Sequence, residues 1–85
     1  MQEDPRKNLD EPRDKRPDEI LVVEGIVVAV IPEYHQAQVL TAEGNLLAIT
    51  RHTAGLRYGD LREGQLVGCE VTRRLPRVLR AWLMR

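Results

Sequence analysis

The stretch from Ile20 to Ile31 reads ILVVEGIVVAVI, with eight β-branched residues in twelve. Val and Ile lose side-chain freedom in a helix and pack well on a pleated surface, so this run predicts a strand. It is long for a flat one. Gly25, near its middle, permits a bend or a bulge, so that one strand can serve two parts of a curved sheet. Pro32 ends the run.

The rest of the chain supplies partners for it. Residues 34–41 (YHQAQVLT) predict a second strand, and Ala42-Glu43-Gly44-Asn45 a tight turn, with Gly44 and Asn45 suited to positive φ. Residues 46–50 predict a third strand. Gly55 and Gly59 rule out a long helix in 51–63, although one helical turn around 53–58 is compatible with the sequence. Gly64 opens a fourth strand, 65–72, in which Val67, Cys69 and Val71 alternate with Gly68 and Glu70. Cys69 on that row reads as a small core residue. Residues 73–76 form a loop. Residues 77–85 predict a fifth strand, with Leu79, Ala81 and Leu83 on one face and Val78, Arg80, Trp82 and Met84 on the other. Five short strands, with one irregular stretch between the third and fourth, describe an all-β, closed or nearly closed five-stranded barrel. Tyr34, Tyr58 and Trp82 are the only aromatic residues and Phe is absent, so the core is aliphatic. About 65 ordered residues bury only about 60% of their unfolded surface, which leaves little reserve of stability.

Ahead of the barrel, residues 1–19 have a different texture. They hold three prolines and, apart from Met1 and Leu9, no large aliphatic residue. The composition predicts a disordered, charged arm (1–19) ahead of a single domain (20–85). Two roles are open to the arm: a solvated tail, or a segment that folds on a partner. The whole chain has a formal net charge of zero at pH 7. That sum hides eight acids and five bases in residues 1–24, net −3, against five acids and eight bases in residues 25–85, net +3. All eight of the latter bases are Arg. Five of them (Arg73, Arg74, Arg77, Arg80 and Arg85) stand in the last 13 residues with no acid between them.

Catalysis finds little support. Ser is absent, the one Cys reads as buried, and no glycine-rich phosphate loop is present. His35 and His52 stand 17 residues apart, with no H-E-x-x-H spacing and no third ligand. No enzymatic activity, metal or cofactor is therefore expected. No apolar run reaches the roughly 18 residues of a membrane span. The charged beginning does not have the pattern of a signal peptide. With a lone Cys, these features lead to the expectation of a reduced, cytoplasmic setting.

Gly25-Ile26-Val27, followed by Ile31-Pro32, resembles the first strand of bacterial translation initiation factor one, a member of the oligonucleotide/oligosaccharide-binding (OB) fold. Val39 with Glu43-Gly44 resembles its second strand and hairpin, and Leu47-Ala48 its third strand. Gly64-Gln65-Leu66-Val67 with Glu70-Val71 resembles its fourth strand, and residues 77–85 its basic closing strand. Leu61-Arg62-Glu63-Gly64-Gln65-Leu66-Val67 is also similar to a stretch of the cold-shock proteins, though their aromatic binding motifs on strands two and three are missing apart from Tyr34. The resemblance covers residues 20–85 and implies an OB barrel that binds RNA, with the small ribosomal subunit as the partner of the factor itself.

The residues give that expectation a chemistry. Arg donates two parallel hydrogen bonds to a phosphate and stacks on bases. The candidate RNA-binding residues are Tyr34 and His35, the loop residues Arg51, His52 and Arg57, the closing-strand arginines Arg73, Arg74, Arg77 and Arg80, and Trp82. Trp82 has two readings, filling one end of the barrel or stacking a base beside Arg80. The histidines likewise read either as plain surface residues or as ligand contacts. Few aromatics and many arginines suit structured RNA better than single strands. A monomeric RNA-binding protein is expected. The alternative is a protein-interaction module on the same barrel, which the zero net charge and acidic arm would suit.

Overall fold

The aliphatic run forms one twelve-residue strand, β1 (Ile20–Ile31), followed by β2 (Gln36–Thr41), β3 (Leu46–Thr50), β4 (Leu66–Thr72) and β5 (Val78–Leu83). This computed structural model describes residues 18–84, so the disorder predicted for residues 1–17, and Arg85, lie outside the described residues. The five antiparallel strands make one curled sheet in the order β3-β2-β1-β4-β5, the half-barrel arrangement of an OB fold. Among the described residues no helix is long and apolar enough to cross a membrane.

β1 does serve two parts of the sheet. Ile20 to Ile26 pair with β4, and Gly25 to Ile31 pair with β2, so the two ladders overlap at Gly25 and Ile26. A side chain at Gly25 would sit 2.5 Å from Val39 Cγ1 and 2.7 Å from the Leu40 carbonyl oxygen. The absence of a Cβ lets β2 close in tightly where the strand bends. The bulge is not at Gly25. It lies between Val27 and Ala29, where Val28 is the extra residue and points outward. Its effect is to put Val27 and Val30 on the same side despite their odd spacing. Val23, Gly25 and Val27 line the inner side, as the alternation predicts, and Val27 packs with Val39, Ile49, Val67 and Cys69 in the aliphatic core. Burial pushes the Cys69 thiol up from its ordinary pKa.

Three local expectations are corrected. Tyr34 is not in a strand. Pro32–Tyr34 forms a 3-10 turn with the proline at its start, and His35 ends it at φ 56°, its N–H donating to the Pro32 carbonyl. The helical turn of the long loop lies at Tyr58–Asp60, not at 53–58. In β5 the alternation breaks because Glu70 pairs with Arg80 but Val71 with Val78, leaving Leu79 as an extra residue. Val78 and Ala81 therefore both face inward.

The barrel closes through a loop, with no direct β3–β5 ladder. The Ala54 N–H donates to the Leu79 carbonyl and the Ala81 N–H donates to the Ala54 carbonyl, both at 2.9 Å. Beside this bridge the buried Thr53 hydroxyl donates to the Val78 carbonyl and accepts from the Thr50 N–H, each at 3.1 Å. Gly55 follows at φ 96°, with the Ala81 carbonyl where a side chain would be. The glycine that makes a helix unfavourable here is what brings the loop onto β5.

Candidate nucleic-acid interface

Closure by residues 51–57 decides where the basic side chains go. One cleft is lined by Thr50, Arg51, Thr53, Leu56, Arg57 and Tyr58. A second, along the seam between β3 and the start of β5, is lined by His52, Pro76 and Arg77 together with Ala48, Thr50, Val78 and Leu79. The two clefts meet at Thr50 and neither is lined by an acid. Arg51, His52, Arg57 and Arg77 are all exposed, and among the described residues none of them makes an ion pair. Residues from two distant parts of the chain thus line two adjoining clefts with basic side chains. Arginines free of a carboxylate partner are available to phosphate without first breaking an ion pair.

His35 borders this region. Its Nδ1 lies 3.1 Å from the Tyr58 hydroxyl, and the two rings meet edge to face with centroids 5.9 Å apart. Tyr58, which the sequence reading left out of the candidate residues, therefore links His35 to the Arg51–Arg57 cleft. Only folding reveals it, because 23 residues separate it from His35. Tyr34 stands next to His35, 71% exposed, and among the described residues it makes no ring contact.

The four closing-strand arginines among the described residues are dispersed. Arg77 belongs to the clefts just described. Arg73 and Arg74, in the β4–β5 turn, are engaged by Glu19 and Asp18. The Glu19 carboxylate holds the Arg73 guanidinium above its ordinary pKa, chiefly by a hydrogen bond and then by its charge. Arg80 sits on the outer face opposite Glu70. The run that is acid-free in sequence therefore meets acids in space. Trp82 shares the outer face with Arg80 and is half-buried. Its indole covers Gly68, where a methyl would fall 2.5 Å from Cε2 and Nε1. It fills no part of the barrel core among the described residues.

The outer face carries a second feature. Leu46 pairs with Leu40, Leu40 with Ile26, and Ile26 with Leu66, so four aliphatic side chains stand in a row across β3, β2, β1 and β4. They are 42–56% exposed. Among the described residues no group of three or more His, Cys, Asp and Glu side chains converges on a point.

No family model matches the chain, and no curated protein matches it in sequence. Among solved structures, that of apo-CusF from Escherichia coli is similar in fold, with a TM-score of 0.62 and 13% identity, covering 88% of this chain and 99% of that one. The chain is thus a small OB-like β protein.

Proposed function

We propose that the protein is a small, non-enzymatic, cytoplasmic RNA-binding barrel. It acts as a monomer and holds backbone phosphates of structured RNA on Arg51, Arg57 and Arg77, with His52 between them. The supporting observation is that two clefts meeting at Thr50 are lined by Arg51 and Arg57 on one side and by His52 and Arg77 on the other, with no acid in either. Three guanidiniums can each neutralise a phosphate, and an arginine-rich surface with few aromatics suits a folded RNA backbone better than a single strand. This is the role that the resemblance to initiation factor one implies, with ribosomal RNA as the first substrate to try. The test is the salt dependence of RNA binding. Changing Arg51, Arg57 and Arg77 together to Ala should flatten the log–log slope by about 2 on single strands, and more on duplex. Affinity should fall alike for all sequences, because phosphates carry no base identity. Arg62→Ala removes an exposed arginine that lines neither cleft, and it should leave affinity within about twofold. Equal slopes for the wild type and the triple variant would reject the reading.

One observation favours a second reading, a protein-interaction module: the exposed Leu46–Leu40–Ile26–Leu66 row. If the row is the binding surface, Leu40→Lys removes protein retained from nuclease-treated lysate while the triple arginine variant keeps it.

A further inference from the structure

The turn from β4 to β5 is built from hydrogen-bond donors that meet in one place. The Arg73 N–H donates to the Glu19 carbonyl at 2.9 Å, and Arg73 Nη1 donates to Glu19 Oε1 at 2.6 Å. The Arg74 N–H donates to both oxygens of the Asp18 carboxylate, at 3.2 and 3.1 Å, and Arg74 Nε lies 3.8 Å from its Oδ1. One carboxylate is thus gripped by an amide and a guanidinium of the same residue, and a second carboxylate is held one residue away. A backbone N–H beside arginine forks is the donor set that proteins use for phosphate oxygens. Residues 73–77 contribute no acid of their own. Both anions come from the end of the acid-rich segment that leads into β1.

We infer that this turn is an oxyanion site for a phosphate group, and that Asp18 and Glu19 are its resident, exchangeable ligands. The site rests on the RNA-binding reading only for the source of the phosphate. Pro76 lines both the cleft that contains Arg73 and the cleft that contains His52 and Arg77, so the turn adjoins the basic clefts. A backbone phosphate that displaces the carboxylates adds the Arg73 guanidinium and the Arg74 N–H to the basic surface. Exchange is easy because the Arg73 and Glu19 side chains are 63% and 59% exposed, and ion pairs in water are weak. Asp18, at 26%, is the more enclosed anion and leaves second.

The experiment uses amide NMR spectra of the full chain, titrated with inorganic phosphate in one arm and a structured RNA hairpin in the other. The proteins are the wild type, the double variant Asp18→Asn/Glu19→Gln, and a charge-matched control, Glu3→Gln/Asp4→Asn. Asn at 18 still offers an oxygen to the Arg74 N–H, so the turn keeps an acceptor while the competing charge is removed. In the double variant the Arg73 and Arg74 amides should saturate at about two- to fivefold lower phosphate than in the wild type. The control should match the wild type. In the wild type, phosphate should move the Glu19 and Arg73 amides together, because one ligand replaces the other. With the hairpin, the salt slope of the double variant should steepen by about 0.9 for each phosphate admitted. Should the double variant melt early, Glu19→Gln alone carries the same comparison with the Asp18 contact intact.

Arg73 and Arg74 amides that ignore phosphate in the variant would overturn the inference. So would a control that behaves like the double variant, since that would make the effect one of general charge. If phosphate saturates the turn and no RNA binds, the site stands and the RNA-binding reading fails. If RNA binds while phosphate leaves the turn unmoved and the slopes are equal, the reverse holds.

Discussion

Val27 and Ile26 are neighbours in sequence and opposites in environment. Val27 is 1% exposed among Val39, Ile49 and Val67, while Ile26 is 46% exposed on the outer row. Val27→Asp places an unpaired carboxylate in an aliphatic core, at a cost of several kcal/mol. A domain of this size has only about 5 kcal/mol or somewhat more in reserve, so the variant should be unfolded, with collapsed amide dispersion. Ile26→Asp, one residue away, should remain folded. The reverse result would mean that the strand register is displaced by one. Gly25 shows the same sensitivity to position, since the space its side chain would need is filled by Val39.

Among the elements, the β3–β4 loop is the one that joins β3 to β5 in space. It replaces a β3–β5 ladder with the Ala54 bridge and the Thr53 hydroxyl. Thr53→Val keeps the shape but strands the Thr50 N–H and the Val78 carbonyl, and should cost about 1–3 kcal/mol. Gly55→Ala should cost at least as much, through a strained positive φ and a collision with the Ala81 carbonyl. Both variants should lower the melting temperature and speed hydrogen exchange at the Ala81 amide, which donates to Ala54. An Ala81 amide as protected as in the wild type would show that closure does not depend on the loop. Arg51, His52 and Arg57 ride on this same segment, so on the proposed RNA-binding reading such variants should also weaken binding.

At the scale of the whole molecule, a formal net charge of zero at pH 7 coincides with an exposed aliphatic row on the outer face. Without net repulsion, apolar surface favours association. Solubility should therefore be lowest near neutral pH. Leu40→Lys/Leu46→Lys adds two positive charges and interrupts the row. It should raise solubility at neutral pH and move the minimum to higher pH, as read by turbidity or by precipitation with added salt. The melting temperature should change little, because both leucines are 42% exposed or more. An unmoved minimum would mean that the row takes no part in association.

The one-dimensional pattern determined the strands. A dense β-branched run, strict alternation at Val67, Cys69 and Val71, and a Gly-Asn turn are local signals that act through neighbouring residues, and each survives into the fold. The inward row of β1 was legible for the same reason. The bulges at Val28 and Leu79 were not, because an extra residue is decided by how two strands meet. The candidate site was legible by residue type, since Arg51, His52, Arg57 and Arg77 are exposed arginines and a histidine in or beside loops. Their grouping was not, and neither was the part played by Tyr58. The five arginines near the end of the chain form an acid-free run in sequence, but the four that are described do not form one in space. Folding carries Asp18 and Glu19 across more than 50 residues onto Arg73 and Arg74, while loop closure unites Arg77 with His52. Charge acts through space, so the tertiary structure alone decides which arginines meet an acid and which stand open to a phosphate.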